Sequence, residues 1–374
     1  PFRAGPTRAG PPRAGPPRAG PPRAGLLSVQ NVRFSPVRNL IITKYVMLIS
    51  RTPYRLSLFG GGIDYPSWYQ KRNTQILCAG LDYYCYQTVR ELPPFFKHTY
   101  RVAYSNIEEV NEIDDIQHPT AREVIRQFGC GKSLEITHVG DLPARSGIGS
   151  SSAFTVGLIS SLCALTKGKF LGRTELAKLA IDIEQNKAKE TVGIQDQCAS
   201  AFGGFVLIDA NKEGVTPRRF LVRKDYQNYI ESSLLMGFTG VQRFSQVGSK
   251  KMNKSLQCNE NFDKLNELQE ISQKAIESFG READLQENAK LTKLCRDIKL
   301  SISNDKHDPK LMELIEETEK AGSLCTRIMG AGGGGFFVCW APEYRHQAIK
   351  DSINIKTWVK VKISSTGSQI IFTE

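Results

Sequence analysis

The residues best placed to do chemistry lie between Asp141 and Ala153, where the chain reads Asp-Leu-Pro-Ala-Arg-Ser-Gly-Ile-Gly-Ser-Ser-Ser-Ala. Glycines let a backbone come close to a ligand, free amides point outward, and the start of a helix favours negative charge. Phosphate is the natural occupant of such a turn. Ser150, Ser151 and Ser152 can cap a helix, and a hydroxyl there can also ligate a magnesium ion travelling with a nucleotide. A glycine-serine connector without a ligand is the other reading of the same residues.

Three carboxylates stand in settings that permit a chemical role. Asp64 follows Gly60-Gly61-Gly62 and either faces a ligand or caps a helix beginning near Ser67 and Trp68. Asp196 sits among small residues between Gly193 and Gly204, where it can be held close to a substrate hydroxyl or cap a short helix over 197–202. Glu184 lies one step off the apolar stripe of a helix, a place where a surface ion pair is the usual role. A last glycine stretch, Gly330 to Gly335, satisfies G-x-G-x-x-G but leads into a strand near the C-terminus. A dinucleotide fingerprint follows a strand and opens a helix, so that reading is rejected and the backbone is expected to approach a neighbouring loop or the ligand. The Gly131-Lys132-Ser133 ending imitates a phosphate loop, yet Arg126 stands where that motif needs glycine and a strand follows, so Lys132 reads as an exposed turn residue.

Periodicity supplies the elements that must hold these groups. Ser133 to Val139 alternates as a half-buried strand into the serine loop, and Phe154 to Leu165 is apolar enough for a buried helix. Met47 to Phe59 reads as a strand interrupted at Pro53, followed by strand-like 76–90 and 99–104 and a helical pattern over 107–128. Thr174 is a plausible N-cap for a helix to Lys189, with Leu176, Leu179, Ala180 and Ile183 on one face. A second series begins at Leu234, with helical patterns over 245–279, 282–303 and 309–322 and strands at 336–340 and 359–364.

Composition sets limits. The formal net charge is +12, but residues 1–50 hold eight Arg or Lys and no acid, which leaves about +4 for the rest. That balance suits an anionic substrate and does not call for nucleic acid. Residues 1–25 are five copies of a Pro/Arg/Gly pentapeptide that cannot bury a core. Residues 1–44 are therefore expected to be a disordered, dispensable tail of upstream or appended origin. Nine cysteines without a C-x-x-C pair read as free thiols of a cytoplasmic protein, and no apolar run reaches membrane-spanning length.

Together, the glycine stretches and the carboxylates between them resemble the GHMP kinase superfamily over about residues 47–374. The most specific part is P-x-x-x-G-[LI]-G-S-S, present as Pro143 to Ser151. The combination FGGGIDYPSWY, GSSSAF, GIQDQCASAFGGF and GAGGGGF is most similar to D-glycero-D-manno-heptose 7-phosphate kinases and related sugar kinases. Galactokinases carry Glu-His where this chain has Gly61 and Gly62. The resemblance implies a two-domain α+β fold with an ATP-binding domain over 45–230 and a ferredoxin-like domain over 231–374. It implies ATP and Mg²⁺ as cofactors, with Pro143, Arg145, Ser146, Gly147, Ile148, Gly149, Ser150, Ser151 and Ser152 around the nucleotide phosphates. Ser150 or Ser151 and Glu184 would serve the metal, Asp196 the acceptor hydroxyl as base or orienting group, and Arg55 the moving phosphoryl group. Asp64, Gly62, Gly332 and Gly333 would contact the acceptor, and Arg243 is a candidate for a phosphate that the acceptor carries. Met329 departs from the family, which has a small hydroxyl residue there. The expected activity is phosphorylation of a sugar or sugar phosphate, heptose 7-phosphate first, by a monomer or homodimer. A fucose- or galactose-type kinase and a catalytically silent binding relative are the alternatives.

Overall fold

Strand β1 (Met47–Phe59) runs unbroken through Pro53, against the expected interruption; the register with the next strand shifts just after it, and a bulge tolerates a residue without an amide. After a short helix α1 (Pro66–Tyr69) comes β2 (Thr74–Glu91), the spine of the first sheet, followed by β3 (Tyr100–Ala103) and β4 (Ile107–Val110). The computed structural model describes residues 46–129, 131–240, 245–302, 308–330 and 333–374, so the tail 1–44, Arg243 and Gly332 lie outside the described residues. Where a helical pattern is expected over 107–128, the chain forms β4 antiparallel to β3, and only Pro119–Val124 (α2) is α-helical. Pairing with β3 overrides the helix preference of the glutamates there.

β5 (Leu134–Gly140) delivers the chain to the serine loop, and α3 (Ser150–Lys167) carries it away. α4 (Arg173–Asp182) begins one residue before Thr174, with Gly172 as its N-cap. Then follow α5 (Gln195–Phe202) and a hairpin without a marked periodic signal, β6 (Phe205–Asn211) and β7 (Gly214–Arg219). Lys132 is tied to Glu91 by an ion pair rather than standing free.

The second series is α6 (Lys224–Ser232), β8 (Leu234–Phe238), α7 (Ser245–Ser255), α8 (Phe262–Gly280), α9 (Leu285–Ile302), α10 (Pro309–Lys320), β9 (Cys325–Ile328), β10 (Phe336–Trp340), α11 (His346–Ser352) and β11 (Thr357–Lys360). Its antiparallel sheet has the order β11-β8-β10-β9. Numbering those strands one to four in chain order gives 4-1-3-2 with the succession βαββαβ, the ferredoxin-like arrangement. The last strand, β12 (Gln369–Thr373), returns to the first sheet, whose order is β12-β1-β2-β5-β3-β4 with the β6–β7 hairpin on the remaining edge of β2. The fold is thus α+β with two sheets.

Two apolar contacts fix α8 and α9 beside the first sheet. Ile63, on the turn after β1, and Trp68, on α1, share a core with Leu265, Leu268, Cys295, Ile298 and Ile302. Phe279, fully buried at the end of α8, meets the rings of Phe59, Phe205 and Tyr226, with centroids 6.4, 5.3 and 5.3 Å away. Phe279→Ala is expected to cost about 3–5 kcal/mol, measured as the shift in the denaturant midpoint; a change below about 1 kcal/mol would show that this aromatic cluster does not hold α8 in place.

Candidate active site

The loop between β5 and α3 has left-handed backbone at alternate residues, Arg145 (φ 60°), Gly147 (φ 81°) and Gly149 (φ 73°). Such alternation turns successive amides toward one concavity that suits an anion. Gly149 is the N-cap of α3 and no side chain caps that helix, so the first-turn amides are left for another acceptor. None of the three serines takes the capping role. The Ser146 hydroxyl donates to the Pro143 carbonyl at 2.5 Å, the Ser150 hydroxyl accepts from the Arg145 amide at 3.3 Å, and Ser151 is exposed.

The third serine does something different. Ser152 is buried and donates to Glu184 Oε2 at 2.9 Å, while Gln197 donates to the same oxygen. Glu184 lies in a π-helical turn, Ile183–Lys187, that extends α4. The extra residue of a π turn shifts the phase of the face, which carries Glu184 from the stripe's edge to complete burial. Its Oε1 has no hydrogen-bond partner, and burial, reinforced by Glu190, pushes its pKa up to about 8. The structure therefore joins Glu184 to Ser152, not to Ser150. An orphaned carboxylate oxygen beside an uncapped helix start fits a divalent cation held mainly by the oxygens of a bound phosphate. Among the described residues, no group of three or more His, Cys, Asp or Glu could hold a metal by itself.

Arg55, on β1, binds the loop and Asp196 together. Its amide donates to the Ile148 carbonyl at 2.9 Å and its Nη1 to the Gly147 carbonyl at 3.0 Å, while Nε and Nη2 reach Asp196 Oδ1 and Oδ2 at 2.6 and 2.9 Å. Arg55 is 4% exposed and Asp196 25%, so the carboxylate keeps an open side. Asp196 lies in the first turn of α5, whose N-cap is Ile194, and does not cap it. A Cβ placed on Gly149 would fall 3.0 Å from Asp196 Oδ2, which sets the carboxylate at the end of the anion loop.

Asp64 is 1% exposed and accepts the Gly62 amide at 2.8 Å, so it closes its own turn and leaves α1 uncapped. Burial raises its pKa. The last glycine stretch packs on the loop: the Phe336 amide donates to the Ser146 carbonyl at 2.9 Å, and a Cβ on Gly335 would meet that carbonyl at 2.3 Å. Only glycine fits there. Gly333 lies in the same turn and is half-buried; Gly332 and Arg243 fall outside the described residues.

Two cations missing from the sequence reading stand beside this group. Lys299 follows Thr292 and Cys295 and precedes Ile302 at 3-4-3 spacing, in phase with the buried stripe of α9. A lysine in that phase is the signal that could have found it. Arg327, on β9, donates to the carbonyls of Ser57 and Leu58 at the end of β1 and has no comparable signal.

Two family profiles match the chain: "GHMP kinases N terminal domain" over residues 116–204 and "GHMP kinases C terminal" over residues 268–359. A D-glycero-alpha-D-manno-heptose 7-phosphate kinase of Campylobacter jejuni is 24% identical over 312 residues, 80% of this chain and 91% of the relative. A mevalonate kinase of Thermococcus onnurineus is 27% identical over 264 residues, 67% of this chain and 72% of the relative. Among solved structures, a D-glycero-D-manno-heptose 1-phosphate kinase from Bacteriodes thetaiotaomicron superposes with TM-score 0.66 at 22% identity, covering 86% of this chain and 97% of that one. Lactococcus lactis galactokinase complexed with galactose superposes with TM-score 0.64 at 17% identity, covering 86% and 95%.

The buried Glu184 has a measurable signature in stability. Its pKa is raised above the unfolded value, so the stability it lends is complete below about pH 4.5 and is lost as pH rises toward 8, at about 1.4 kcal/mol per pH unit. In metal-free protein, Tm should therefore fall between pH 5 and pH 8, and Glu184→Gln should flatten that fall. Parallel pH profiles for the two proteins would mean that Glu184 is already charged at neutral pH.

Proposed function

The chain belongs to the GHMP kinase superfamily, and from that premise we propose that it transfers the γ-phosphoryl group of ATP to a hydroxyl of a sugar phosphate, the anomeric hydroxyl of D-glycero-D-manno-heptose 7-phosphate. The observation that carries the reading is the bidentate Arg55–Asp196 pair set against Gly149, at the end of a loop whose backbone suits an anion. Bound Mg·ATP would supply the phosphoryl group and the charge neutralisation that its transfer demands. Ser152 and Glu184 are the residues fitted to the cation, and the amides of Gly147 to Ser152 to the phosphates.

Phosphoryl transfer asks a protein for alignment and electrostatics rather than covalent chemistry. Arg55 fixes the Asp196 carboxylate through both oxygens and leaves its open side toward the acceptor, where it accepts the hydroxyl's hydrogen bond and directs its lone pair. Asp64, buried and held by the Gly62 amide, would have to be uncovered to accept from a substrate hydroxyl. Gly335, packed on Ser146, keeps the last glycine stretch against the phosphate loop. The heptose relatives in sequence and in fold support the acceptor; the mevalonate kinase relatives make mevalonate the necessary comparison.

An assay of ADP release with Mg·ATP, run against heptose 7-phosphate, mannose, fucose, galactose, mevalonate and homoserine, tests this. Heptose 7-phosphate should give the highest kcat/KM. Asp196→Asn should lower kcat by about 10²–10⁴-fold while ATP still binds. Turnover on mevalonate alone would replace the sugar acceptor, and full activity of Asp196→Asn would remove Asp196 from the mechanism.

A further inference from the structure

Lys299 and Arg327 have no part in the transfer as described. A Cβ placed on Gly62 would lie 3.1 Å from Lys299 Cε and 3.7 Å from its Nζ, so the ammonium sits against the turn that carries Asp64. Arg327 spends Nη1 and Nη2 on the Leu58 and Ser57 carbonyls, and its buried Nε has no partner. Neither side chain forms an ion pair among the described residues. Burial, then Arg327, lowers the Lys299 pKa to about 8, and burial lowers that of Arg327 to about 10. Three cations, Arg55, Lys299 and Arg327, thus act on one another around two carboxylates, Asp196 and Asp64, and burial disfavours the charge of Asp64.

A half-buried lysine that forms no ion pair with the one carboxylate beside it, Asp64, is costly for the empty protein, because a partly desolvated cation is destabilising. An anion seated beside it removes that cost. The nucleotide phosphates have their own place at Gly147, Ile148 and Gly149, which Arg55 and Asp196 touch, whereas Lys299 sits against Gly62 in the turn after β1. We propose that Lys299, backed by Arg327, seats a phosphate monoester or carboxylate carried by the acceptor, so that the site selects an anionic acceptor over its neutral counterpart. This inference rests on the kinase reading above, and it puts the acceptor's anion at Lys299 instead of at Arg243.

The test compares the intact protein with Lys299→Met and Lys299→Arg. With heptose 7-phosphate, Lys299→Met should raise the acceptor KM about 10–100-fold, as loss of a charged hydrogen bond does, while the KM for ATP moves less than twofold. Lys299→Arg should recover most of that loss. The preference for heptose 7-phosphate over heptose should fall by the same factor in Lys299→Met, and its ligand-free Tm should equal or exceed that of the parent, which a merely structural lysine would not allow. Mevalonate in place of the sugar phosphate separates a carboxylate seat from a phosphate seat.

An unchanged acceptor KM in folded Lys299→Met, or an equal rise in the KM for ATP, would overturn the proposal and leave the kinase reading intact. Absence of any acceptor-dependent ADP release would instead remove the kinase reading. Calorimetric titration of inorganic phosphate in saturating Mg·ADP then decides the seat by itself: binding that weakens about tenfold or more in Lys299→Met supports it, and binding that is absent or unaltered rejects it.

Discussion

The half-buried pair between Arg55 and Asp196 is the constraint on which the rest of this site depends. One guanidinium reaches both oxygens of one carboxylate and, on the same side chain, a carbonyl of the phosphate loop. It therefore fixes three separate pieces of chain, β1, the loop before α3 and the first turn of α5, in one geometry. Removing the Asp196 carboxylate would strand the buried Arg55 charge, at a cost of about 3–5 kcal/mol. The same arrangement that stabilises the junction also aims Asp196 and keeps positive charge next to the anion loop. Stability and chemistry are therefore hard to separate at Arg55.

Close backbone contact is the second requirement. Gly147 and Gly149 take left-handed backbone, and Gly335 lies where any side chain would strike the Ser146 carbonyl. These contacts bring the ferredoxin-like sheet onto the phosphate loop without intervening side chains. They also place α9 and β9 so that Lys299 and Arg327 approach the turn after β1. On the proposed reading, the first sheet would supply the machinery for a phosphate, and α9 and β9 the cations that face the acceptor.

Much of this was legible from residue types and spacing. The serine loop between a strand and a helix is local chemistry, and Pro143 to Ser151 carries enough fixed positions to point to one superfamily. The losses have physical causes. Glu184 looked peripheral because a 3.6-residue period cannot anticipate a π turn. Ser152 is not singled out from Ser150 and Ser151 by sequence, since only the packing of α3 on α4 decides which hydroxyl meets Glu184. The strand β4 hid behind glutamates that prefer helices in isolation, and β12 returns from the far end of the chain to an edge no local pattern can reveal. Lys299 was readable in hindsight, as a charge in the phase of an apolar stripe. Arg327 was not, because its role depends wholly on where β1 ends.

Phosphorus NMR of the reaction products bears most directly on the central claim that these residues move a phosphoryl group from ATP to an anionic sugar. With Mg·ATP and heptose 7-phosphate, ADP should appear together with a new anomeric phosphate resonance, while the original 7-phosphate signal persists at equal intensity. ADP accompanied only by inorganic phosphate, or a spectrum unchanged while ATP remains bound, would contradict the account.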